Sequence, residues 1–300
     1  MIQKTPICKL CGKGPAVLSH VIPKFAATWI KKVAPSPYLR AADKPNLRKE
    51  DGIKERLLCV ECENMFSKLG EHKFAERIFQ PFRTDLKLKS DYGGWLLYFA
   101  VSLAWRTSVV NIQALRQNKP HLAPHVDDAI QYWAAYLKGE HNKIQPYEHH
   151  LFLLGEDLQN TPSSLPKGFF AYTQRAFDCC LARNDQIVRA YTLLPGFVFW
   201  STIHPCKQKG WRNTKILPKG RLGPDVPGKI TDPLFGDFFE WRVEEISGKP
   251  ISERQRQKMK QTFEDYVKSH SPEEVRLAFK PHLQDQLWQK KNGRKILPPL

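Results

Sequence analysis

Four cysteines fall in two pairs, ICKLC with Cys8 and Cys11, and LLCVEC with Cys59 and Cys62. A Cys-x-x-Cys pair forms a tight knuckle that turns two thiolates to one side. Two such knuckles supply the tetrahedral sulfur set of a structural zinc site, with Zn–S bonds of about 2.3 Å. The alternatives are free buried thiols or a redox pair, but neither Cys-x-x-Cys sits in the βαβ pattern of a thioredoxin-like motif. Cys179, Cys180 and Cys206 stand apart, and adjacent residues on a strand point to opposite faces, so these three read as core thiols. Beside the first pair lies Ser19-His20-Val21-Ile22-Pro23, and directly after the second come Glu63 and Asn64. An imidazole with an ordinary pKa near 6.5 accepts protons at neutral pH. Carboxylate and amide oxygens are the hard donors that Mg²⁺ prefers. Each cysteine pair thus has polar side chains beside it in sequence, a histidine near the first and an acid-amide pair after the second.

Blander roles exist for each of these residues. His20 can be a satisfied histidine in a hairpin, or a zinc ligand in place of a cysteine. Asn64 can cap the helix that follows. Glu63 can face solvent at that helix start, where negative charge is favoured.

Certain elements must hold these groups. NMFSKLGEHKFAERIFQP places Phe66, Leu69, Phe74, Ile78 and Phe79 on one side of a helix that stops before Pro81. Between the half-sites, VAPSPYLRAADKPNLRKEDGIKER has the proline and charge content of an exposed loop or arm. Two helices follow between 91 and 142. The region FFAYTQRAFDCCLARNDQIVRAYTLLPGFVFWSTI has the β-branched and aromatic texture of strands, broken at Asn184-Asp185 and Pro195-Gly196. Residues 205–232 read as loop, 251–269 and 272–281 as helix, and the basic tail as a mobile end. The expected class is α+β, with a zinc domain over 1–82 and a larger, helix-rich α+β domain over 83–300.

The motif SHVIP resembles the His-x-Ile-Pro signature of the HNH endonucleases, the ββα-metal nucleases, where it follows the first zinc knuckle. LLCVECEN is similar to their second knuckle, which opens the helix of a treble-clef ββα unit. The resemblance covers about residues 1–80, and the order knuckle, His-x-Ile-Pro, loop, knuckle, helix carries it. It implies a DNA endonuclease with structural Zn²⁺ and catalytic Mg²⁺ or Mn²⁺. His20 is then the base that takes a proton from water, and Asn64 a ligand to the catalytic cation. Many HNH proteins carry Asp before the first His, where this chain has Ser19. Glu63, Glu71 and His72 are the candidates to supply the missing contact. The attachment of such a module to an unfamiliar partner domain resembles small accessory nucleases of bacterial phage-defence systems, with the defence proteins they would join as partners.

Forty-seven Lys+Arg against 30 Asp+Glu give a net charge of +17, a field that draws polyanions such as DNA. Lys31, Lys32, Arg40, Lys44, Arg48, Lys49, Lys54 and Arg56 lie between the half-sites, and Lys68 on the helix after them. They read as backbone contacts or as a solvated linker. The most apolar run, WLLYFAVSLAW, falls short of the roughly 20 residues of a membrane span. The amino end lacks the apolar core of a secretion signal, so a cytoplasmic address is expected. Two rivals to cleavage of duplex DNA remain: a zinc-stabilised module that binds nucleic acid or a protein without cutting, and cleavage of RNA.

Overall fold

Strands made mostly of apolar and aromatic residues on both faces are buried on both faces, and those at 188–194, despite Arg189, and 197–203 are so here. A computed structural model describes residues 6–42, 44–85, 89–154, 165–223, 225–247 and 249–291. It shows a mixed α+β fold. The largest sheet is antiparallel, with His149–Leu153, Phe197–His204, Val188–Leu194 and Asp178–Arg183 side by side in that order. Every residue of Val188–Leu194 is buried.

One face of this sheet is covered by the helix Gly94–Asn118, which is buried on all sides from Leu96 to Val109 except Tyr98. Phe99 meets Phe199 edge-on at 5.5 Å, and the Thr107 and Thr192 hydroxyls share a hydrogen bond of 2.9 Å. A helix apolar on all sides belongs in an interior, and this central helix is one. The helix Ala123–Lys138 packs beside it and ends at Gly139, whose φ of 77° suits the left-handed cap. On the opposite face of the sheet Trp211 stacks on Trp200 at 5.5 Å.

The segment carrying the two cysteine pairs is built as strand, strand, helix. Val17–His20 pairs antiparallel with Lys54–Leu58. A helical run over 60–84 follows, which we term the knuckle helix. It contains two wide turns, where His72 N–H bonds to Ser67 and Gln80 N–H to Ala75, five residues back. It continues past Pro81 to Thr84, and Leu69, expected on the apolar side, is exposed. Phe74 stacks on Phe99 at 4.5 Å, which ties this helix to the central one.

The chain divides into two compact units. The first contains residues 1–23, 53–157 and 178–232, and the second 24–52, 158–177 and 233–300. This division does not coincide with a boundary near residue 82. In the second unit the helix Lys24–Val33 buries Ala27 and Ile30 against Leu39, with Trp29 and Phe177 alongside. The buried Asp285 carboxylate accepts the N–H groups of Phe170 and Ala171, both at 3.0 Å.

Several local expectations are corrected. The proline-rich basic stretch, which begins where the helix Lys24–Val33 ends, forms the hairpin Leu39–Ala41 with Lys44–Lys49 and the start of the strand Lys54–Leu58 rather than a loop. Phe169–Arg175, expected in a strand, is a helix. The strand His149–Leu153 and the helix Pro233–Ser247 were not expected. The last helix runs through Pro281 to Lys291, and the tail beyond it lies outside the described residues. Among the described residues no helix is long and apolar enough to cross a membrane.

Candidate functional site

Local backbone geometry forms the first knuckle. Gly12 N–H bonds to the Cys8 carbonyl at 3.0 Å and Cys8 N–H to that of Gly14 at 3.1 Å. Gly12 and Gly14 sit at φ of 68° and 65°, the left-handed region that glycine reaches without strain. Lys9 N–H donates to the Leu57 carbonyl at 2.8 Å, which fastens the first knuckle to the strand leading into the second. There Cys59 precedes the knuckle helix, and Glu63 N–H bonds back to its carbonyl at 3.0 Å.

The sulfurs of Cys8, Cys11, Cys59 and Cys62 all lie within 4.8 Å of one another. Those of Cys11 and Cys59 are 3.7 Å apart. A tetrahedron with arms near 2.3 Å has edges of about 3.8 Å, so the spacing fits zinc. Burial resists ionisation of Cys8, but N–H groups of Cys11, Cys59 and Leu10 directed at its sulfur bring that thiol down to about 7. Burial pushes the Cys59 and Cys62 thiols up. A dication reverses that cost, since a coordinating thiol is deprotonated outright. The Lys13 N–H, 3.4 Å from the Cys11 sulfur, adds a donor suited to a thiolate.

His20 ends the first strand, paired with Lys54, and is half-buried. Ser19 before it is buried, and its hydroxyl donates to the Val17 carbonyl at 3.4 Å. At the start of the knuckle helix Glu63 is half-buried and Asn64 exposed. The Glu63 Oε2 atom is buried without a hydrogen-bond partner among the described residues. Such an atom costs free energy unless a cation or donor reaches it. His72 lies on the exposed side of the same helix, 3.1 Å from Glu76.

Glu71 turns inward, which the sequence did not disclose. Its carboxylate forms a 2.7 Å ion pair with Arg106, a side chain only 1% exposed in the middle of the central helix. The same guanidinium donates to the His20 carbonyl at 3.2 Å and to the Ser102 carbonyl and hydroxyl, both at 3.3 Å. It also lies 5.3 Å from the Phe66 ring centroid. One buried cation therefore joins the His20 strand, the knuckle helix and the central helix. The signal in sequence was a single Arg closing an apolar helical run, which reads equally well as a helix boundary.

His149 and His150 are a second set of buried ionisable groups. His149 Nδ1 shares a 2.7 Å hydrogen bond with the Ser201 hydroxyl, and His150 Nδ1 one of 2.9 Å with that of Thr214. Burial drives His149 down to about 3, with the neighbouring His150 adding to the shift. Burial likewise drives His150 to about 4, although Glu148 opposes it. Among the described residues the four cysteines alone form a cluster of three or more metal-ligating side chains.

No family model, curated protein or solved structure matches the chain.

Proposed function

We propose that the chain is a metal-dependent endonuclease of the ββα-metal kind that nicks duplex DNA. The carrying observation is the order strand, strand, helix around four convergent sulfurs, with His20 ending the first strand and an unpartnered buried Glu63 oxygen at the helix start. Zn²⁺ on Cys8, Cys11, Cys59 and Cys62 holds the fold. Mg²⁺ or Mn²⁺ near Glu63 and Asn64 supplies the charge that stabilises a phosphodiester leaving oxygen. His20 takes the proton of the attacking water, and Arg106 fixes the backbone from which its imidazole projects. Glu71 is committed to Arg106, which leaves Glu63 as the carboxylate suited to replace the Asp absent at Ser19.

The reading predicts that the protein converts supercoiled plasmid to the nicked form in Mg²⁺ or Mn²⁺. His20→Ala and Glu63→Gln should abolish nicking with zinc content and thermal unfolding unchanged. Nicking by His20→Ala at the wild-type rate rejects the assignment. One observation favours a second reading, a zinc-stabilised module that binds without cutting: the buried Ser19 hydroxyl is turned to its own strand. Salt-sensitive DNA binding with no cleavage in any divalent cation selects it.

A further inference from the structure

The hairpin Leu39–Ala41 with Lys44–Lys49, in the second unit, is charged in a way its own fold does not explain. Arg40 stands directly opposite Arg48, and Leu39 opposite Lys49. Like charges opposite each other weaken a strand pair. No ion pair joins Arg40, Lys44, Arg48 or Lys49 to a carboxylate among the described residues. Desolvation, and then the Arg48 charge, hold the Arg40 pKa below its ordinary value. Arg48 instead lies 4.7 Å over the ring of Tyr38, itself 39% exposed. Pro45, Asn46 and Leu47 have no opposite partners and bulge outward, held by Arg40 donating to the Pro45 carbonyl at 3.0 Å. The bulge borders a hollow of about 360 Å³ that Lys44 and Lys249 flank. Asn46 fixes this corner by accepting the Ser252 N–H at 2.8 Å.

A two-stranded ribbon whose first strand is packed on a core and whose exposed second strand carries unneutralised cations is matched by a regular array of anions. We propose that this ribbon grips duplex DNA, with Lys44, Arg48 and Lys49 on backbone phosphates. A two-stranded ribbon fits the B-DNA major groove, about 12 Å wide, whereas the A-form RNA groove is too deep and narrow to admit it. The inference deepens the nuclease reading by naming its substrate grip, and it rests on that reading only for the purpose the grip serves.

The test is binding of a labelled 24-base-pair DNA duplex without divalent cations, so that no cleavage is needed, by the full chain and its Lys44→Gln/Arg48→Gln/Lys49→Gln variant. The triple variant should bind at least tenfold more weakly at low salt. Its slope of log affinity against log salt should fall by about 2.7, near 0.9 for each phosphate no longer neutralised. Zinc content and thermal unfolding should not move, since these side chains are exposed. Unchanged affinity and slope overturn the proposal, as does equal wild-type binding to the RNA duplex of the same sequence or to polyglutamate. Loss of binding in the variant together with no nicking by the wild type leaves the grip standing and rejects the nuclease.

Discussion

In the first unit, the Glu71–Arg106 pair of the knuckle half and the two buried histidines of the sheet half have opposite outcomes. Around the knuckles the groups carry charge or wait to carry it: Glu71 is paired with Arg106, and four thiols converge on the space of one cation. In the sheet, His149 and His150 are kept neutral, each joined to a hydroxyl. Retaining charge in an interior requires a partner of opposite sign, whereas neutralising it requires only burial and a hydrogen bond.

The widest separation between the halves should come from denying the four sulfurs a metal ion. Structural zinc sites contribute about 10–16 kcal/mol in small peptides, comparable to the whole stability of a domain. Cys59→Ser, or a strong chelator, should abolish zinc binding and open residues 6–20 and 53–66 to proteolysis while the sheet stays protected from hydrogen exchange. Metal analysis showing no zinc in the purified chain would break the contrast. Next in size is Glu71→Gln, which strands the Arg106 charge and should cost about 3 kcal/mol in denaturant unfolding. Adding Arg106→Met should recover much of that loss, and simple additivity of the two changes would show that the ion pair does not couple them.

Acid addresses the other half. An unfolded histidine binds its proton below about 6.5, but His149 and His150 do so only near 3 and 4 when folded. The unfolded state therefore takes up more protons, and stability is lost as pH falls from 6.5 towards those values. Each histidine should remove about 1.4 kcal/mol by pH 5.5. His149→Gln should make the pH dependence of unfolding shallower by one proton, and an unchanged slope would mean that this imidazole titrates normally. The smallest effect sharpens how the halves meet. A Cβ at Gly70 would lie 3.1 Å from Phe99 Cα and Cβ, so Gly70→Ala should cost about 1 kcal/mol despite alanine's better helix propensity. A stabilised variant would show that the two helices can separate freely.

The cysteine cluster was legible because Cys-x-x-Cys spacing is a local rule that the chain obeys within each pair. The central helix and the inner strands were legible because their runs are long and apolar. Arg106 was not, since nothing local separates a buried arginine from a surface one at the edge of an apolar run. Its role depends on Glu71, 35 positions earlier, and on the His20 carbonyl, 86 positions earlier. The hairpin at 39–49 was hidden by proline and charge, which describe its exposure correctly but say nothing of strand pairing. Phe169–Arg175 misled because aromatic residues suit a buried helix as well as a strand.

The two wide turns of the knuckle helix have a consequence for its phase. Phe66, Gly70, Phe74, Ile78 and Phe82 are all buried, a repeat of four. On an ideal α-helix, at 100° per residue, that repeat would rotate by about 40° at each step and carry the last residue to nearly the far side of the cylinder. Local unwinding cancels the rotation, so four side chains and the bare Gly70 position between the first two keep one buried face from Phe66 to Phe82. A period of four, where 3.6 is expected, is thus how a sequence can write a helix that does not precess.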